Sequence, residues 1–266
     1  MPRIASVHAI DGPSRVERIR DGIVELIESG RLVPGDEMSI SALAEKHSVR
    51  AVALMFAVSG SKENDLFTVQ GDRIIVSPLP ADSLRRALQM RRDIEGHILA
   101  RSVDHWSSPK LRRLADSLPD PADLTMESLD FSKSLATFER RLHGPGGTGF
   151  DLHILDDIFR LGRRFVCLTN RGIASGLTGY DRPQATIRHN CVDISLETLS
   201  MIRSGNFPAL QALRAHYQND YEELTQLALE LDFSRLPSAA ALCDIRLDPP
   251  RQEATILELR PRRHSG

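Results

Sequence analysis

Apolar residues recur at helical spacing near the start of the chain. Val16, Ile19, Ile23 and Ile27 fall at intervals of three and four, so they share one stripe of an amphipathic helix. Ser14 precedes the stripe with Glu17 at the capping-box distance, and Gly30 supplies the left-handed residue that stops such a helix. "RLVPGDE" (Arg31 to Glu37) reads as a turn built on Pro34 and Gly35, after which Ser39 can cap the next helix. "SALAEKHSVRAVALMFAVSG" (Ser41 to Gly60) then predicts a short helix up to His47, a tight corner at Ser48 and a second helix, the outline of a helix-turn-helix. "LFTVQGDRIIVSP" gives two β-prone runs around Gly71 and Asp72, a hairpin in the position of a wing.

From Asp82 onward the pattern is helical, with helices expected near 82–103, 108–118, 124–143, 150–170, 185–204 and 207–232. The fold class is therefore mainly α: an N-terminal winged helix-turn-helix with a small β-hairpin wing (1–78) and a C-terminal all-helical bundle (79–236). The last segment, 237–266, is a proline-interrupted tail with a basic end, in which Thr255 to Leu259 could form a strand. "GPGGTG" (Gly144 to Gly149) lacks the following Lys-Ser/Thr and the preceding strand of a phosphate loop, so it reads as a connection. One feature departs from the amphipathic rule. Ala51 to Val58 is apolar throughout, which predicts cover on every side, by the bundle, a second subunit or another protein.

Charge narrows the partners. The 266-residue chain carries 34 basic and 36 acidic residues, so no overall field draws it to nucleic acid or an anionic membrane. Residues 1–80 hold nine Lys or Arg against eleven Asp or Glu, without the surplus a duplex-binding module usually displays. Cys167, Cys191 and Cys243 are odd in number and form no CxxC pair. With no leader-like segment and no membrane-length apolar run, a reduced, cytoplasmic protein is expected, its cysteines serving as small buried hydrophobes. No nucleophile motif or cofactor fingerprint appears, so no enzyme activity is expected.

The order of parts carries a resemblance. A first helix, "GRLVPGDEMS", "LAEKHSV", a hairpin ending in "VSPLP" and a helix bearing "MRRDIEGHILA" resemble GntR-type transcriptional regulators of the FadR class, over roughly Arg15 to Asp232. The resemblance implies a winged helix-turn-helix joined to a helical ligand-sensing domain, often called FCD. It also implies a homodimer on operator DNA, a repressor responding to a small-molecule carboxylate. The family's three DNA-contacting arginines align with Ser41, Ala51 and Met55, and its following glutamate with Phe56. A guanidinium fork can grip a guanine edge or a phosphate, and these side chains cannot. The remaining cations on that face are Arg50, Lys62 and Arg73. The alternative is a relative that acts by protein association through its apolar second helix, with weak or no sequence-specific DNA binding.

In the sensor part the resemblance assigns Arg91 to a ligand carboxylate, although Arg91 and Glu95 also suit an internal i, i+4 pair. It further implies one divalent metal ion (zinc, nickel or manganese) on a carboxylate and histidines. Glu139 and His143 stand at i, i+4, and His216 lies near the family's last histidine, whereas the remaining position falls on Ser195. Arg91, Glu139, His143 and His216 are thus the expected ligand-binding residues, the last three doubling as metal ligands.

Overall fold

A computed structural model describes residues 14–60, 66–123, 125–178 and 184–238. Lys62, Cys243 and the 255–259 run lie outside the described residues.

The first helix, α1 (Arg15–Glu28), begins on a reciprocal Ser14/Glu17 capping box. It ends before Gly30, whose φ of 70° suits a residue without Cβ. Ile19, Ile23 and Ile27 are fully buried, as their spacing requires. A short strand β1 (Glu37–Ser39) leads through the Ser39 cap into α2 (Ile40–Lys46). Ser48 turns the corner with a positive φ of 52° into α3 (Ala51–Ser59). The hairpin is β2 (Phe67–Gln70) and β3 (Arg73–Val76). It is one strand larger than expected, because β1 pairs antiparallel with β3, giving the order β1-β3-β2 with Met38 and Val69 both opposite Ile74. Three residues are too few to display alternation, and their partner is remote in sequence.

Six further α-helices follow among the described residues: α4 (Ala81–Ser102), α5 (Ser108–Ala115), α6 (Ser128–His143), α7 (Gly149–Ala174), α8 (Gln184–Ser204) and α9 (Phe207–Leu227). α4 packs on α6, α7 and α9, and α8 lies along α9. α6 starts later than the pattern suggested. Asp120 and Asp123 accept from the backbone amides of Ala122 and Thr125 and so shape turns, and Arg188 donates to the Asp123 and Met126 carbonyls. The glycine cluster is a packing device. A Cβ on Gly146 would overlap the Ile98 carbonyl and Ser102 of α4, and Thr148 and Asp151 then form the capping box of α7.

One core cluster joins α1, α2, α3 and the sheet, including Ile23, Leu43, Leu54 and Ile74. Val33 instead joins Leu84, Leu88, Phe165 and Leu168 of the bundle. Beside that apolar contact, the seam carries polar ones. Arg163 pairs with Glu28 at 3.2 Å, Lys133 with Glu25 at 2.9 Å, and Arg164 donates to the Ser77 carbonyl at 2.6 Å. Arg171 donates to the Gly30 carbonyl beside them. No described helix is long and apolar enough to cross a membrane.

Candidate functional site

The face expected to meet DNA is built from α2, α3 and the β2–β3 turn. α3 turns Leu54 and Val58 into the core but leaves Val52 60% and Phe56 70% exposed. Of the cover expected for α3, the chain itself supplies the part from α1, α2 and β2, and the outer face with Val52 and Phe56 is left uncovered among the described residues. Ser41 is committed elsewhere. Its amide and hydroxyl, with the Ser39 hydroxyl, donate to the Asp72 carboxylate at 2.6–2.8 Å. Those bonds hold the Asp72 carboxyl below its usual range and keep a negative charge at the wing turn. Arg50 is exposed at the start of α3, and Arg73 pairs with Glu37 across the β1–β3 ladder.

The chemistry of the bundle is concentrated where α4, α6, α7 and α9 meet. Helical spacing sets two charged residues one turn apart on each of two helices: Arg91 and Glu95 on α4, Glu139 and His143 on α6. α9 contributes Arg214, Tyr217, Gln218 and Tyr221, at the same i, i+3, i+4, i+7 spacing. Arg91 Nε donates to Glu95 Oε1 at 2.8 Å. The Arg214 fork donates from Nη1 and Nη2 to the two Glu139 oxygens, and from Nη2 to Glu95 Oε2, each at 3.0 Å. Gln218 Nε2 adds a 2.7 Å bond to Glu95 Oε2. Phe159 of α7, Tyr221 and Tyr217 place their rings 4.5, 5.0 and 5.3 Å from the Arg91 guanidinium carbon.

These groups are buried, so their mutual fields decide their charge. Burial opposes ionisation of Glu95, but Arg214 and Arg91 outweigh it and hold the carboxyl well below the usual range. Burial also opposes the charge on both arginines, and the two carboxylates again prevail. His143 goes the other way: burial lowers its pKa despite Glu95 and Glu139, favouring the neutral ring. Burial pushes the Tyr221 hydroxyl and the Cys167 and Cys191 thiols up to about 12, which disfavours the thiolate at both cysteines. Several buried polar atoms have no hydrogen-bond partner among the described residues: Arg91 Nη1 and Nη2, Arg214 Nε, and both ring nitrogens of His143. Beside the cluster, a cleft of about 260 Å³ opens between α4 and α9, with Glu95, Arg214 and Gln218 beside apolar Leu99, Phe207 and Leu210.

Glu95, Glu139 and His143 bring ligand atoms within 4.8 Å of one another, a buried group that could hold a metal ion. The group as it stands does not fit one. Every oxygen of both carboxylates already accepts from a guanidinium. Two carboxylates and two guanidiniums cancel, so a divalent ion would leave an uncompensated double charge in the interior.

Arg91, Glu139 and His143 are thus brought together, and His216 is not. Its side chain is 68% exposed and its Nε2 lies 3.8 Å from Asp220, out in solvent. Two residues along a helix rotate a side chain about 200°, so the turn of α9 that buries Arg214 carries His216 outward. Ser195 is buried but bonds back to the Cys191 carbonyl of its own helix. Arg214 and Gln218 were not legible as site residues. Their only signal was the buried-face spacing they share with Tyr217 and Tyr221.

Solved structures share this architecture. Escherichia coli McbR/YncC superposes with a TM-score of 0.60 at 12% identity, covering 81% of this chain and 98% of that one. A GntR transcriptional regulator from Rhodococcus sp. RHA1 gives 0.59 at 15% identity, covering 81% and 98%. Lar, which controls expression of the Listeria monocytogenes agr system, gives 0.52 at 15% identity, covering 84% and 100%. These neighbours are GntR-family transcriptional regulators, and the chain has their fold. No family model and no curated protein matches its sequence.

Proposed function

We propose that this chain, folded as GntR-type regulators are, is a ligand-responsive DNA-binding transcriptional regulator. It works as a homodimeric repressor whose effector is a small organic acid bound at Arg91. The observation that carries this reading is the Arg91 guanidinium itself. It is only 1% exposed, uses Nε on Glu95, and leaves Nη1 and Nη2 without hydrogen-bond partners among the described residues. Each unsatisfied buried donor costs about 1–3 kcal/mol, and a carboxylate that accepts from this edge removes that cost. The winged part (1–78) would contact the operator through Arg50, Arg73 and Lys62, and the helical part (79–236) would hold the effector.

Coupling has a physical route. Phe159 touches Arg91, and one turn further along α7 Arg163 and Arg164 hold Glu28 and Ser77. An effector that fits one position of α7 better than another shifts the winged part with it, by as much as its affinities differ. The test is a gel shift on the chain's own upstream region with a panel of mono-, di- and tricarboxylates. A fall in DNA affinity with one of them, absent in Arg91→Met, is expected. DNA binding indifferent to the whole panel, with no thermal shift, overturns the reading.

One observation favours a second reading, in which the outer face of α3 docks a protein. Val52 and Phe56 stand exposed where duplex readers place polar side chains. DNA affinity that falls steeply with salt supports the regulator. A stable complex lost in Phe56→Ser supports protein association.

A further inference from the structure

We infer that Arg214 stands where a divalent cation would sit, making the cluster metal-independent, and that removing its guanidinium unmasks a cation site on Glu95, Glu139 and His143. The guanidinium fork is inserted between carboxylates from two other helices and donates to both. It links α9 to α4 and α6, as a coordinated ion would, through directional bonds of 3.0 Å. The ligand set it faces is otherwise complete. The three donors lie within 4.8 Å of one another, and the ring nitrogens of His143 have no hydrogen-bond partner among the described residues. His143 is fully buried, so its ring faces this cluster rather than solvent.

Charge decides between the two cations. With Arg214 present, Arg91 and Arg214 balance Glu95 and Glu139. Without it the cluster keeps one negative charge in excess, so a divalent ion would leave a single positive charge rather than two, and oxygen and imidazole donors of this kind suit zinc, nickel or manganese. An uncompensated buried charge of this kind corresponds to about 100-fold or more in affinity for a compensating cation.

The test measures Zn²⁺ and Ni²⁺ binding by dialysis and elemental analysis on tag-free full-length chain. Wild type is expected to retain no stoichiometric ion. Arg214→Ala and Arg214→His are each expected to retain one, at least about 100-fold more tightly than wild type, with a rise in melting temperature. Adding Glu139→Gln to either variant should abolish the gain. One ion per wild-type chain, or a folded Arg214→Ala that takes up none, overturns the inference. If Arg214→Ala is unfolded in chelator, refolding on adding Zn²⁺ supports it and failure to refold counts against it.

Discussion

At the residue scale, the four charges at the centre of the bundle are stable only as a set. Glu95 accepts from Arg91, Arg214 and Gln218, so Glu95→Gln leaves two buried guanidiniums sharing a single carboxylate. Breaking a buried pair from one side costs about 3–5 kcal/mol, and urea unfolding of Glu95→Gln should show a loss in that range. His143 gives a pH signature. Its folded pKa is depressed, so below the unfolded value of about 6.5 the unfolded chain binds a proton that the folded chain refuses. Stability therefore falls as pH drops from about 6.5 toward the folded pKa, and His143→Gln should flatten that slope. Glu28, whose burial raises its pKa, contributes with the opposite sign. The readout is accordingly the difference between variant and wild type at pH 5 to 7.

At the element scale, α3 has two faces that one residue type disguises. Leu54 is fully buried, and Leu54→Ala should cost about 2–5 kcal/mol in chemical denaturation. Phe56, equally apolar, stands in solvent, and Phe56→Ser should change stability by less than about 0.5 kcal/mol while raising solubility. Equal losses from both would mean that α3 packs differently from its structure here. Gly146→Ala makes the matching case for the loop between α6 and α7. Its methyl would meet the Ile98 carbonyl, which is backbone and cannot rotate away, so about 1–3 kcal/mol of destabilisation is expected by thermal unfolding. A neutral result would remove the packing explanation for that glycine.

At the scale of the whole molecule, α7 joins the two parts, packing against α1 on one side and α4, α6, α8 and α9 on the other. It carries Phe159 against Arg91, Arg164 on the Ser77 carbonyl and Arg171 on the Gly30 carbonyl. Burial drives the Arg164 guanidinium down to about 10, still charged at neutral pH. Arg164→Met should keep both cores folded yet release the segment after β3. Faster amide exchange there, with unchanged protection of Leu43 and Phe138, is the expected pattern. Unchanged exchange throughout would remove Arg164 from the coupling route.

The sequence by itself determined whatever depends on near neighbours. The Ser14/Glu17 box, the Ser48 corner, the hairpin at Gly71 and the Arg91–Glu95 and Glu139–His143 turns each lie within a few residues, where helical and turn geometry fix who meets whom. Only the tertiary structure decided that Arg214 joins those pairs, because its carboxylates lie 75 and 119 residues away. It also decided that His216 faces solvent, since a ligand's direction depends on how α9 is rotated against α4 and α6, which no local count contains. The outer face of α3 follows the same logic: composition made it apolar, and packing alone settled which half was covered.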